Sequence, residues 1–118
     1  MSKTDHFRLE HISVCIEKII KLTEIIQTLE NFEERWVEQD AMIRNFEILG
    51  EASKHISTTV KDKYPEIEWN KMKGMRNFMT HQYFGIQLDT VWETAKTDIP
   101  LLKDQITTIL RNLNQELD

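Results

Sequence analysis

Three glycines and two prolines in 118 residues are too few for a fold built on many tight turns, which excludes a β-rich or loop-rich architecture. The single cysteine, Cys15, has no partner for an internal disulfide, and this fits a reducing compartment. No apolar run approaches the roughly 20 residues needed to cross a bilayer. The opening Met-Ser-Lys-Thr-Asp-His lacks the apolar core of a secretory signal. The expectation is a cytoplasmic protein without a membrane partner. Cys/His clusters with zinc spacing, Gly-rich phosphate loops and Gly-x-Ser-x-Gly are also missing, so no metal and no cofactor are expected.

What the chain does have is helix-forming composition, with long runs rich in Glu, Lys, Gln, Leu, Ile and Met. Its length suits one domain over residues 1–118, large enough to bury a core unaided by disulfides or metal. Apolar residues recur at alternating steps of three and four in four segments. The first covers about 5–29, with Ile12, Cys15, Ile19, Leu22, Ile26 and Leu29 in its stripe, and Asn31-Phe32 ends it. The second covers about 33–60 through Met42, Phe46, Leu49, Ser53, Ile56 and Val60, with Thr58-Thr59 weakening its end. Pro65 reads as the first-turn proline of a third helix that runs to about Tyr83 and is stopped by Phe84-Gly85. Asp89 reads as the N-cap of the fourth, whose stripe of Leu88, Trp92, Ala95, Ile99, Leu102, Ile106, Ile109 and Leu113 is crossed by Pro100. Proline removes an amide donor, so a break is expected there, with Asp98 capping the new start. The fold class is therefore all-α, a mainly antiparallel bundle of four or five helices with the last one broken near Pro100. Trp36, Trp69 and Trp92 read as bundle core, and His6, His11 and His55 as surface or packing residues.

A net charge of −5 counts against coating nucleic acid by bulk electrostatics. The charge is uneven, however: residues 1–60 carry −4, 61–81 carry +2 and 82–118 carry −3. The one basic stretch includes Lys71, Lys73 and Arg76. On the third helix the stripe runs Trp69, Met72, Arg76, Met79, Tyr83, so a guanidinium stands where an apolar side chain is expected. Such a group needs an anion. Either an internal carboxylate supplies it, with Glu47 or Glu51 of the second helix in reach, or the seam opens to a cleft that takes an anion from outside. His81 follows five residues later, in the last turn, where the helix dipole favours the imidazolium. At about 100° per residue the two side chains diverge by roughly 140°. Either the helix loosens near Gly85, or two copies of it meet at a twofold axis and pool two arginines and two histidines. The second arrangement is preferred.

Met75-Arg76-Asn77-Phe78-Met79-Thr80-His81-Gln82-Tyr83-Phe84-Gly85-Ile86 resembles the signature of the HEPN superfamily, and more closely its HepT-like branch, with Arg-x4-His-x-Tyr followed by Phe-Gly-Ile. Upstream, Ile43-Arg44-Asn45-Phe46-Glu47-Ile48-Leu49-Gly50-Glu51-Ala52 is similar to that branch's second helix. Asp89-Thr90-Val91-Trp92 and Pro100-Leu101 are similar to its last two. Gln82 and Gln87 depart from the residues frequent at their positions. The resemblance implies a homodimeric, metal-independent endoribonuclease of a toxin–antitoxin pair. It further implies silencing by a minimal nucleotidyltransferase antitoxin that transfers AMP to the motif tyrosine, here Tyr83. Arg76, Asn77 and His81 take the catalytic positions. In this reading the substrate's own 2′-OH attacks the phosphorus, His81 moves protons, Arg76 stabilises the phosphate, and Lys71 and Lys73 guide the RNA. The rival is a non-catalytic helical module that dimerises and binds a nucleotidyltransferase, which suits the acidic balance and the strong stripes.

Overall fold

The first helix, α1 (Lys3–Ile26), opens with Ser2 as N-cap, its hydroxyl accepting from the Asp5 amide at 3.1 Å. Leu9, Ile12, Ile16, Ile19 and Ile26 make one fully covered stripe. The computed structural model describes residues 2–81 and 87–117, except the side chains of Thr80, His81, Glu116 and Leu117. Its described residues form six helices: α1, α2 (Leu29–Glu34), α3 (Trp36–Lys54), α4 (Thr58–Lys63), α5 (Trp69–His81) and α6 (Leu88–Leu117). Four are long; α2 and α4 have six residues each and act as corners. The all-α bundle is as expected.

Helix α1 packs on both α3 and α6, and α5 packs on α3. Asp5 and Arg8 of α1 meet Ser57 and His55 just past the end of α3, so α1 and α3 run antiparallel. Contacts from Glu66 to Gln105 and from Lys71 to Asp98 make α5 antiparallel to α6 in the same way. Among the described residues no helix is long and apolar enough to cross a membrane.

The boundaries differ from the periodicity at four places, each for a local reason. The first helix stops at Ile26, not near residue 29. Gln27 adopts φ 74°, and the Thr28 hydroxyl accepts from Asn31 N at 3.1 Å, starting α2 instead. The segment expected over 33–60 is three helices, because Ser57 caps α4 through Val60 N at 3.3 Å, and Thr58-Thr59 become a first turn. Pro65 lies in a turn outside any helix. The third long helix begins at Trp69, where the indole Nε1 donates to Tyr64 O at 3.1 Å, and Glu68 O receives the Lys71 and Met72 amides. The last helix begins at Leu88, which puts Asp89 in its first turn rather than at the N-cap.

Pro100 does not break α6, which runs unbroken for 30 residues. Ala95 and Ile99 before it and Leu102 and Ile106 after it are all buried in one stripe. Burial of four such side chains, each of order 1.5–3 kcal/mol for the larger ones, outweighs one lost backbone hydrogen bond. Pro100 itself is exposed, so the carbonyl it leaves unpaired, that of Lys96, is on the solvent side. Asp98 caps nothing; its carboxylate is 3.1 Å from Lys71 Nζ.

Asp5 is the principal polar tie between elements. It is 3% exposed, and Ser57 donates to it twice, from N at 2.9 Å and from Oγ at 2.7 Å. Burial alone raises a carboxyl pKa, but the Ser57 hydroxyl and amide, the Ser2 hydroxyl and the Arg8 charge together hold Asp5 below its ordinary value. A carboxyl with a depressed folded pKa adds stability that is fully present above the unfolded value and is lost as pH falls through the folded one. Asp5→Ala is expected to cost about 2 kcal/mol at pH 7. The gap to wild type should shrink below about pH 4, a comparison read from urea unfolding at pH 7 and pH 3.

Candidate active site

Helix α5 is held against α3 at one point of close approach, Gly50. A Cβ placed there would overlap Arg76 Cβ and lie 2.8 Å from Met72 O and 3.0 Å from Arg76 N. The missing side chain therefore lets the α5 backbone sit directly on α3, and it is this contact that delivers Arg76 to the next residue of α3, Glu51. Met72 and Met79, one turn to each side on the same stripe, are 2% exposed and pin the helix.

Arg76 Nε stands 3.3 Å from Glu51 Oε2, with side-chain exposures of 37% and 46%. The internal carboxylate expected for Arg76 is thus Glu51 and not Glu47. The guanidinium is not sealed in: it sits at the lip of the α3–α5 seam with solvent access. Its Nη1 donates to Asn77 Oδ1 at 3.3 Å. The other carboxylate oxygen, Glu51 Oε1, lies 3.2 Å from His55 Nε2, one turn further along α3. Glu51 Oε2 is screened from solvent and makes no hydrogen bond, so its contact with Arg76 is ionic without bond alignment. The hydrogen bond to His55 holds the Glu51 carboxyl below its ordinary range; partial desolvation opposes this, and the charges of Arg76, Lys54 and His55 add to it. Glu51 is an anion at neutral pH.

Arg76, Asn77 and Glu51 are therefore brought together. The backbone of His81 completes α5, five residues beyond Arg76. The His81 side chain, Tyr83 and the cap expected at Gly85 lie outside the described residues. Lys71 belongs elsewhere. Its Nζ is 3.1 Å from Asp98 and 3.6 Å from Glu68, and the Asp98 hydrogen bond holds its pKa above the ordinary value. Lys73 is exposed and has no ion pair among the described residues.

Sequence reasoning leaves His55 on the surface or in packing and misses its place beside Glu51. The Glu51-x3-His55 spacing, one helical turn, is the available sign that it touches the carboxylate. Trp69 and Trp92 are core at 8% exposure, but Trp36 is 70% exposed at the start of α3, outside the core expected to hold it. It falls off the Met42–Phe46–Leu49 stripe, and α2 ends before reaching it.

Met75, Phe78 and Met79 of α5 line an apolar cleft of 290 Å³ together with Gly74 and with Val91 and Thr94 of α6. Gly74 differs from Gly50: a methyl group added there would meet nothing within 4 Å. Its φ is not positive, so alanine fits its helical backbone. Gly74→Ala is expected to stabilise the chain by about 1 kcal/mol, read as a higher urea midpoint.

An all-α bundle that carries Arg-Asn-x3-His on one helix, from Arg76 to His81, resembles the HEPN type. Residues 12–109 match the family described as ribonuclease HepT-like, and the chain belongs to that family. A chain of Methanocaldococcus jannaschii named "Gamma-glutamylcyclotransferase and putative RNase" is 37% identical over 115 residues, covering 98% of this chain and 51% of its own length. A "Probable ribonuclease HepT" of Thermococcus cleftensis is 42% identical over 103 residues, covering 87% and 93%. A "Putative RNase" of Caldanaerobacter subterraneus subsp. tengcongensis is 35% identical over 109 residues, covering 92% and 96%. The chain thus spans about half the length of the first relative and nearly all of the other two. No solved structure matches.

Proposed function

We propose that this chain is a metal-independent endoribonuclease, the toxin of a toxin–antitoxin pair. Membership of the ribonuclease HepT-like family supports this. The observation that carries it is Arg76, a guanidinium set at the lip of the seam by Glu51, solvent-accessible, and on the same helix as His81. An arginine fork is the group suited to phosphate oxygens.

The reaction needs no nucleophile from the protein. The RNA 2′-oxygen bonds to the adjacent phosphorus as the P–O5′ bond breaks, leaving a 2′,3′-cyclic phosphate and a 5′-OH. One imidazole of His81 accepts the 2′-OH proton, and a protonated one returns a proton to O5′. Two chains meeting at a twofold axis supply both, which answers the divergence of Arg76 and His81 on one helix. Arg76 stabilises the charge growing on the phosphorane, Asn77 orients that guanidinium, and Lys73, more than the ion-paired Lys71, draws in RNA. AMP carried on Tyr83 by a nucleotidyltransferase antitoxin would place an anion on Arg76 and close the site. Purified chain incubated with total RNA in EDTA tests the activity. Cutting by wild type and not by His81→Ala is expected, and RNA left intact by folded, unmodified wild type would refute it.

The non-catalytic docking reading has one observation in its favour. Residues 24–40 hold Glu24, Glu30, Glu33, Glu34, Glu38 and Asp40 against Arg35 alone, as much net charge as the whole chain, around the exposed Trp36 and Val37. That end of the bundle suits a basic protein partner and repels RNA. It lies on the α2–α3 corner, so docking there is compatible with catalysis at α5.

A further inference from the structure

We propose that Glu51 is the positioning residue of Arg76: it takes the Nε edge of the guanidinium and so turns the Nη edge toward the phosphodiester, while His55 fixes Glu51 from the opposite side. The proposal rests on the ribonuclease reading above and adds two residues at the end of α3 to it.

Arginine has five N–H donors. Here Nε lies 3.3 Å from Glu51 Oε2 in an ionic contact, and one Nη1–H reaches Asn77 Oδ1 at 3.3 Å. Three donors remain on the two terminal nitrogens, which form the forked edge that matches two phosphate oxygens. A guanidinium with no partner at Nε could present either edge and would swing about its long side chain. Glu51 limits that freedom, since rotation away would leave a carboxylate oxygen that is screened from water without the guanidinium charge beside it. The carboxylate is itself braced, because His55 Nε2 holds Oε1 at 3.2 Å from the C-cap of the same helix. Gly50 sets the distance by admitting the α5 backbone beside Glu51.

The arrangement has a sign that a purely structural ion pair would not have. A carboxylate next to a phosphate site repels the substrate, so Glu51 weakens RNA binding slightly and contributes through orientation. Removing its charge should therefore lower kcat without raising KM. Glu51→Gln keeps the shape; Glu51→Asp keeps the charge one methylene short.

The experiment has two arms on the full chain. Side-chain ¹⁵N–¹H spectra read the Arg76 Nε–H directly, assigned by its loss in Arg76→Lys, and need no nuclease activity. Cleavage of a dye-labelled single-stranded oligoribonucleotide reads kcat and KM. For Glu51→Gln the Arg76 Nε–H signal is expected to shift or broaden, and kcat to fall about tenfold with KM unchanged or lower. Glu51→Asp should recover part of kcat, and His55→Ala should lose about two- to threefold, as the brace and not the contact is removed. An Arg76 signal indifferent to Glu51→Gln overturns the proposal whatever the activity. A shifted signal with unchanged kcat overturns the positioning role and leaves the ribonuclease reading standing. If wild type cuts no RNA, the ribonuclease reading falls and takes the kinetic claim with it, while the spectra still report the ion pair.

Discussion

Arg76→Ala is expected to lower kcat on RNA about 100- to 1000-fold, the usual loss when one preorganised donor to a developing oxyanion is removed. The fold should hardly notice. Arg76 is 37% exposed and its ion pair with Glu51 sits at the lip of the seam, so thermal unfolding should stay close to wild type. Arg76→Lys should recover little, because an ammonium cannot hold Glu51 at one edge and two phosphate oxygens at the other. Full activity in folded Arg76→Ala would remove the guanidinium from the chemistry.

Gly50→Ala is expected to produce the largest combined loss of stability and activity of any single-methyl addition. An exposed helical glycine usually gains about 1 kcal/mol on becoming alanine. At Gly50 the new Cβ meets Arg76 Cβ, Met72 O and Arg76 N, which are fixed parts of α5 and not the far ends of flexible side chains. The helix must move away from α3, and overpacking of this kind costs about 1–3 kcal/mol. The move also carries Arg76 off Glu51, so kcat should fall with stability. Gly74→Ala, on α5 with open space at its Cβ, should change stability in the opposite direction. Urea unfolding of the two variants side by side gives the comparison, and equal shifts would show that α3 and α5 do not touch at Gly50.

The stripes on α1 and α6 are legible in the sequence because each helix buries one continuous face in the bundle, and the three–four spacing is the direct trace of that burial. Corners are not. Residues 42–60 keep apolar spacing across the break at Ser57, so that interruption is written in a capping hydroxyl rather than in periodicity, as Thr28 writes the start of α2. Pro65 and Pro100 mislead in opposite senses. One sits outside the helix it is expected to start, and the other lies inside a helix it is expected to break, because burial of the flanking stripe decides the matter and proline alone does not. Trp36 shows the limit of composition: an indole is core only where a neighbour covers it. At the site, the misfit of Arg76 in its own stripe is legible, and so is the need for Glu47 or Glu51. Which carboxylate answers it depends on the rotation of α3 against α5 at Gly50, a tertiary fact that no single helix encodes.

Arg76 and His81 are proposed to act on an RNA phosphodiester through the substrate's own 2′-hydroxyl, and the most direct measurement of this is the chemistry of the cut ends. An oligoribonucleotide incubated with the purified, unmodified chain in EDTA should give fragments ending in 2′,3′-cyclic phosphate and beginning with 5′-OH. The same oligonucleotide carrying a 2′-deoxy sugar at the cut position should stay whole. Fragments with 5′-phosphate ends, or cutting at the deoxy position, would contradict the mechanism.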